Sequence, residues 1–175
     1  METLEAIHTR RSVRAFTRDR LPDELLERLL RAGAASASGG NVQAWGFVLV
    51  RNPARLAALR SLAPGIIGQP AAAIAICLDR ERAGRLGGDG GEQLMWLDIG
   101  LATQNLLLAA HDLGFGACPI GSFHARGVAI LIDLPPAVEP VLLLALGYPA
   151  VKLSPPGRRA LTEVCFEEEW GRPYG

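Results

Sequence analysis

The order of apolar and polar residues predicts a chain of short helices and strands. One helix is predicted from Pro22 to Gly33, because its leucines recur at helical spacing and Asp23 and Glu24 stand where the helix dipole favours acidic groups. An unbroken apolar run over 71–78 predicts a buried strand. The same patterns predict further helices over 2–9, 53–62, 92–113 and 124–132, and further strands over 45–50, 116–120 and 140–146.

The longest predicted helix, 92–113, carries apolar side chains on nearly every side. At ~1.5 Å per residue it is roughly 30 Å long, about the diameter of a small domain. A helix that is apolar all round must be buried on most sides, and a chain of 175 residues has little other material to surround it. We therefore expect a partner subunit to cover this helix, and we expect its polar residues Asp98, Gln104 and Asn105 to find hydrogen-bond partners.

Composition excludes several classes of protein. A length of 175 residues predicts one domain over 1–175, and 49% hydrophobic residues exclude a disordered chain. Eighteen basic and eighteen acidic side chains cancel, which argues against nucleic acid or a membrane as the partner, and no apolar stretch reaches the ~18 residues of a membrane span. Three cysteines without CxxC spacing, and a charged N-terminus without a signal sequence, predict reduced thiols and a cytoplasmic protein. The three scattered histidines predict no metal site.

Two polar segments fall outside the predicted core. Residues 79–91 are charged and rich in glycine, and no GK[ST] sequence follows them, so they predict a flexible loop rather than a phosphate loop. Residues 150–175 contain several prolines and the acidic run Glu167–Glu169. They predict a C-terminal arm that packs across another surface.

Positive charge is concentrated in the segment Arg10–Arg20, which holds five arginines and one acidic residue. Arg10, Ser12 and Arg14 alternate along the chain, so in an extended segment their side chains point to the same side. Two guanidinium groups and a hydroxyl in that arrangement can bind one phosphate group. On spacing alone, an ordinary solvated basic turn is the more frequent explanation.

Two further segments offer polar groups suited to a flat heterocycle. In Ser38–Trp45, glycines allow close approach of the backbone, and the amides of Asn41 and Gln43 offer both donors and acceptors. In Pro119–Ser122, backbone N–H groups are freed where a short strand ends. Each segment alone also fits a plain loop. Because the chain lacks the sequence motifs of nucleophilic, zinc and P-loop enzymes, we predict no catalytic side chain and expect a bound cofactor to carry any chemistry.

Taken together and in this order, the segments resemble the nitroreductase family of flavoproteins. Arg10–Phe16 is similar to the family's RRSxRxF motif, and Ser38–Trp45 to its PSxxNxQPW loop. Asp98–Leu106 is similar to its DxGxAxQNL helix. Pro119-Ile120-Gly121, Leu146–Pro149 and Arg158 complete a resemblance that runs from residue 2 to about 166. Two loop prolines of the family are Ala37 and Ala44 here, and 79–91 is shorter than the corresponding region of longer relatives.

The resemblance implies an α+β fold, a three-layer sandwich with a mixed, mainly antiparallel sheet between helices. It also implies an obligate homodimer with FMN at the interface, with helix 92–113 in the dimer core. Carried over by position, the FMN phosphate and ribityl chain would be held by Arg10, Ser12, Arg14 and Arg158, with Arg11 beside them. Ser38 would come from the other subunit, with Asn41 and Gln43 near the isoalloxazine ring, and the ring would be lined by Pro119, Ile120, Gly121 and Ser122.

The activity that this resemblance implies is transfer of hydride from NADH or NADPH through flavin N5 to a nitroaromatic, a quinone or a similar small acceptor. A shared site for donor and acceptor predicts ping-pong kinetics. The alternatives are a specialised reaction of the same family (dehalogenation, flavin breakdown or substrate dehydrogenation), a flavin-binding protein without turnover, and a nucleotide-binding module without flavin. Cys118 and His124 lie near the proposed ring segment, but a buried thiol and a solvated histidine at a helix start are the simpler interpretations.

Overall fold

The computed structural model describes residues 1–86, 90–154 and 157–174. Six helices occur within them: α1 (Thr3–Thr9), α2 (Asp23–Ala34), α3 (Pro53–Leu62), α4 (Arg80–Ala83), α5 (Gly90–Asp112) and α6 (Ala125–Leu131). The strands are β1 (Trp45–Val50), β2 (Ala72–Asp79), β3 (Gly116–Ile120) and β4 (Val138–Gly147). Single 3-10 turns occupy Gly39–Asn41, Gly84–Leu86 and Leu161–Glu163. Apart from α4, every one of these helices and strands was predicted from the sequence, with ends within two residues of those observed.

The four strands form one antiparallel sheet in the order β1-β2-β4-β3. Trp45 pairs with Leu78 at one end of β1, and Ile74 of β2 pairs with Leu144 of β4 at the centre. Beyond the β3 edge, Ser12 adds a short parallel bridge to Ala117. The sheet is therefore mixed and mainly antiparallel, as expected.

Helices cover both faces of this sheet. On one face, even-numbered residues of β2 such as Ile74 join a buried cluster with Leu29 of α2 and Leu106 of α5. On the other face, odd-numbered residues such as Ala75 join Leu59 of α3 and Val128 of α6. Because both faces of β2 are buried, its sequence is apolar without alternation, which is unusual for an antiparallel strand. The expected three-layer α+β sandwich is confirmed.

Side-chain caps define where several helices begin. The Asn52 side chain accepts hydrogen bonds from the backbone N–H groups of Ala54 and Arg55, both at 3.1 Å, and so fixes the start of α3. Pro22 precedes α2 as its N-cap residue, whereas the sequence predicted it as the first helical residue. Its φ of −62° suits either position, so only the extended ψ of 140° excludes Pro22 from the helix.

The prediction of a loop over 79–91 is wrong for most of that segment. Arg80–Ala83 form α4, Gly84–Leu86 form a 3-10 turn, and α5 begins at Gly90; residues 87–89 lie outside the described part of the chain. The cause is a cap that the glycines concealed: the Asp79 side chain accepts a hydrogen bond from the backbone N–H of Arg82 at 2.9 Å.

One long face of α5 stays exposed in the single chain. Leu97 is 61% exposed and Leu101 is 49% exposed, and Gln104 lies on the same face rather than in a buried hydrogen bond. Asn105, by contrast, faces inward and donates to the Ala32 carbonyl at 3.2 Å. The face of Leu97 and Leu101 is the part of the helix that the chain itself does not cover.

The hydrogen bonds described for the C-terminal residues 157–174 join these residues to one another. Tyr174 N–H donates to the Cys165 carbonyl, and Phe166 bridges Pro173. Trp170 is 91% exposed. Among the described residues, no helix has the length and apolar character needed to cross a membrane.

Candidate functional site

Arginines from the two ends of the chain surround one pocket of about 380 Å³. α1 ends at Thr9, and the chain then runs extended beside β3, where the Val13 N–H donates to the Ala117 carbonyl at 3.0 Å. The C-terminal segment returns across this edge. We call this cavity the arginine pocket, and its lining residues are Arg10, Arg11, Ser12, Arg14, Leu153, Ser154 and Arg158.

The arginine pocket holds positive charge that the described residues do not neutralise. None of the described residues lining it is acidic. Nη1 of Arg10 and Nε of Arg11 are buried and have no hydrogen-bond partner among the described residues. Burial lowers the pKa of Arg10, and the nearby charges of Arg158 and Arg11 lower it further. Buried, unpartnered guanidinium nitrogens favour an anion with several acceptor oxygens, such as a phosphate.

The segment Pro119–Ser122 begins two residues after Ala117, which bridges Ser12 of the arginine pocket. Ile120 is buried, whereas Gly121 and Ser122 are exposed where β3 ends. A Cβ on Gly121 would meet nothing within 4 Å, so open space lies in front of its backbone. This segment can therefore offer free N–H groups to a ligand.

Two glycines join Pro119–Ser122 to the arginine pocket. The Gly65 N–H donates to the Ser122 carbonyl at 3.4 Å. Gly68 has a φ of +78°, and a Cβ there would stand 2.6 Å from the Arg14 carbonyl oxygen. The 65–68 segment thus packs against both groups of candidate residues. Its glycines, like Leu153 and Ser154 of the pocket, were missed from the sequence, because their contacts are with residues far along the chain.

Residues 38–43, which we call the amide loop, lie away from the arginine pocket. The loop leads into β1, at the opposite edge of the sheet from Ser12. Four strand spacings of ~4.8 Å place these two edges roughly 19 Å apart. The structure therefore brings Arg10, Arg11, Ser12, Arg14 and Arg158 together, but it does not bring the loop residues Ser38, Asn41 and Gln43 to them within one chain.

The amide loop is closely connected to α5. The Gly39 N–H donates to both carboxylate oxygens of Asp98, at 3.1 and 3.2 Å. Asp98 is 4% exposed and directly follows Leu97, which lies on the uncovered face of the helix. The expectation of a partner for this buried carboxylate is confirmed.

Comparison with known proteins decides the family. The model of the "Nitroreductase family" matches residues 7–73 and 66–148, which together make up most of the chain. The chain belongs to the nitroreductase family. A relative in Methanothermobacter thermautotrophicus, provisionally named an NADH dehydrogenase/NAD(P)H nitroreductase, is 34% identical over 168 residues, 92% of this chain and 83% of the relative.

Solved structures of nitroreductases share the fold. The nitroreductase NfrA1 of Bacillus subtilis superposes with a TM-score of 0.85 at 27% identity, covering 97% of this chain and 75% of that one. The NADPH:FMN oxidoreductase of Vibrio harveyi, solved in complex with NAD⁺, gives a TM-score of 0.85 at 26% identity, with 98% and 79% covered. The sequence resemblance to nitroreductases is thus confirmed across nearly the whole chain.

Cys118 and His124 have structural roles in this nitroreductase fold, as a buried thiol and as a helix cap. Burial raises the pKa of the Cys118 thiol, although the charge of Arg14 and a hydrogen bond from it act in the opposite direction. His124 Nδ1 accepts a hydrogen bond from the Gly127 N–H at 2.9 Å and caps α6. Among the described residues, no group of His, Cys, Asp and Glu side chains is arranged to hold a metal ion.

Proposed function

We propose that this member of the nitroreductase family is an FMN-dependent oxidoreductase, which uses NADH or NADPH to reduce a nitroaromatic, a quinone or a similar small acceptor. The observation that carries the proposal is the arginine pocket, where buried guanidinium nitrogens of Arg10 and Arg11 lack partners and none of the described lining residues is acidic. The described residues fit a phosphate monoester such as that of FMN. Relatives named for reduction of nitro compounds and of FMN support the choice of cofactor and donor.

Each group of residues has a binding role in this proposal. Arg10, Ser12, Arg14 and Arg158 hold the phosphate and the ribityl chain, and Arg11 adds positive charge beside them. Residues 119–122 line the ring, and a backbone N–H of Gly121 or Ser122 donates toward N5. Bound FMN supplies the two-electron redox chemistry at that position. The described residues bind and orient; we assign no side chain as a general acid or base.

The separation of the arginine pocket from the amide loop supports a homodimer. In one chain they lie on opposite edges of the sheet, at least roughly 19 Å apart by strand spacing. They also lie at opposite ends of β4, because Trp45 is level with Glu139 and Ala117 is level with Leu146. We therefore infer that the loop that contacts a given flavin comes from a second copy. The apolar face of Leu97 and Leu101, which adjoins the loop through Asp98, is where that copy would dock. An exposed apolar patch on an otherwise polar surface is typical of a protein–protein interface. We also propose a cytoplasmic location, which the three free cysteines support.

The decisive experiment is anaerobic flavin spectroscopy. The protein is reconstituted with FMN, and its visible absorbance is followed during titration with NADH or NADPH and then with a quinone. We expect the nicotinamide to bleach the flavin and the quinone to restore it, and steady-state rates to show ping-pong kinetics. Failure to bind FMN overturns the proposal. Stable FMN binding without bleaching favours the flavin-binding protein without turnover instead.

A further inference from the structure

The amide loop contains three residues in the left-handed region of backbone conformation, one of which does not favour it. Gly40, Asn41 and Gln43 all have positive φ angles, of 53°, 55° and 54°. Glycine and asparagine adopt the left-handed region readily, whereas for Gln43 this region is unfavourable. Such a conformation persists only where surrounding contacts hold it, and it concentrates at sites that bind ligands.

The loop's side chains are ordered by this backbone. Ser38 Oγ accepts a hydrogen bond from the Gln43 N–H at 3.1 Å. The Gln43 side-chain amide donates to the backbone carbonyl of Asn41 at 3.2 Å and to its side-chain oxygen at 3.1 Å. The remaining polar atom of each amide has no partner among the described residues. The loop thus presents one donor and one acceptor to whatever docks on it.

Asp98 holds the start of the loop. Its carboxylate is almost fully buried, yet the described residues give it no cationic partner, and the hydrogen bond from Gly39 N–H is the contact that it makes. A buried carboxylate without a cation is destabilising unless its hydrogen bonds compensate. Retaining it on the core helix α5 serves to fix the position of one backbone N–H in the loop.

Arg82 and Asp79 hold the far end of the loop. Arg82 Nε donates to the Val42 carbonyl at 2.7 Å. The Asp79 N–H donates to the Ala44 carbonyl at 2.8 Å, and the Asp79 side chain caps α4 through the N–H of Arg82. α4 is therefore connected both to β2 and to the loop. The loop is held at its start by α5, through Asp98, and at its end by α4, through Arg82.

We propose that Asp98 and Arg82 are positioning residues, which keep the amide loop in its strained conformation so that it is ready to contact the flavin ring. The inference rests on the proposed function, because in that function the flavin ring is the ligand that the loop contacts. Holding the loop before binding removes the entropic cost of ordering it on binding. Losing either residue should therefore weaken contact with the ring and leave contact with the phosphate unchanged.

The test compares two flavins and two kinds of variant. Asp98→Ala and Arg82→Met each remove one holding contact, and Asp98→Asn serves as the milder change if the alanine variant does not fold. Thr103→Val is the matched control for a buried polar group on α5 that does not touch the loop, since its hydroxyl donates to the Ile99 carbonyl. Arg85→Met is the control for an exposed arginine in the segment after α4. Affinities for FMN and for riboflavin, which lacks the phosphate, are measured for all of them.

We expect the Asp98 and Arg82 variants to bind FMN and riboflavin about tenfold more weakly, by the same factor for both flavins. Hydrogen exchange of the backbone amides of 39–43 in the flavin-free protein should become faster, and both controls should behave as the wild type does. If the wild type binds FMN but the variants keep its flavin affinity, or its exchange rates in the loop, the positioning role alone is overturned. A wild type that binds neither flavin overturns the proposed function together with it.

Discussion

Replacing Arg10 with methionine should stabilise the flavin-free protein and weaken its binding of FMN. In the flavin-free chain Arg10 Nη1 is buried without a partner, and the charges of Arg158 and Arg11 face it, so its charge is unfavourable there. Methionine keeps the apolar stem and removes the charge. Because Arg10 is only partly buried and water screens its neighbours, we expect the free energy of unfolding to rise by about 0.5 kcal/mol, or roughly 1–2 °C in Tm.

With FMN present the sign reverses. A hydrogen bond between a guanidinium and a phosphate contributes about 1.5–3 kcal/mol, which corresponds to roughly a tenfold to hundredfold loss of FMN affinity in the variant. Riboflavin lacks the phosphate, so its affinity should change by less than about twofold. Without ligand, the Tm of the variant should therefore exceed that of the wild type. At an FMN concentration that saturates the wild type, the Tm of the variant should be the lower of the two.

Thermal melts and titration calorimetry measure both effects, and Arg55→Met, an exposed arginine on α3, is the matched control. Inorganic phosphate should raise the Tm of the wild type more than that of the Arg10 variant. The reasoning is refuted if Arg10→Met melts below the wild type without flavin and still binds FMN with wild-type affinity.

Three further outcomes follow from the structure. Leu97→Glu places a charge on the uncovered face of α5, so light scattering should show monomers instead of a dimer, and the affinity for FMN should fall. A variant that stays dimeric and binds FMN as the wild type does would contradict the assigned interface. Burial raises the pKa of Cys77 to about 11, so at pH 8 iodoacetamide should alkylate Cys165 well before Cys77, as peptide mass spectrometry can show; rapid labelling of Cys77 would count against the buried strand. Gly68 has a φ of +78° and lies against a backbone carbonyl, so Gly68→Ala should lower the free energy of unfolding measured in urea by about 2 kcal/mol. Gly84→Ala, where nothing lies near the added Cβ, should leave it almost unchanged.

How far the sequence could predict the molecule depended on the range of the interactions involved. α5 and β2 were predicted nearly to their ends, because a long apolar segment is a local pattern whose length separates a buried helix from a buried strand. The alternation of Arg10, Ser12 and Arg14 likewise predicted three residues that do line one pocket. The helix α4 was missed, since one capping contact of Asp79 outweighed a glycine-rich composition that indicated a loop.

Long-range partners were beyond the sequence. The polar character of Asp98 within an apolar helix indicated that a partner must exist, but nothing local could identify Gly39, which is 59 residues away along the chain. Leu153 and Ser154 line the arginine pocket because the chain after β4 returns to the β3 edge, and no motif marks them. The resemblance to nitroreductases supplied the grouping of distant segments that periodicity could not.

The placement of the arginine pocket and the amide loop on opposite edges of the sheet has a genetic consequence. In the proposed homodimer each site takes its arginines from one chain and its loop from the other. A copy defective only in the pocket and a copy defective only in the loop then rebuild one intact site when they pair. Equal mixing of two such inactive proteins would restore about one site in four, so alleles that fail separately would complement each other.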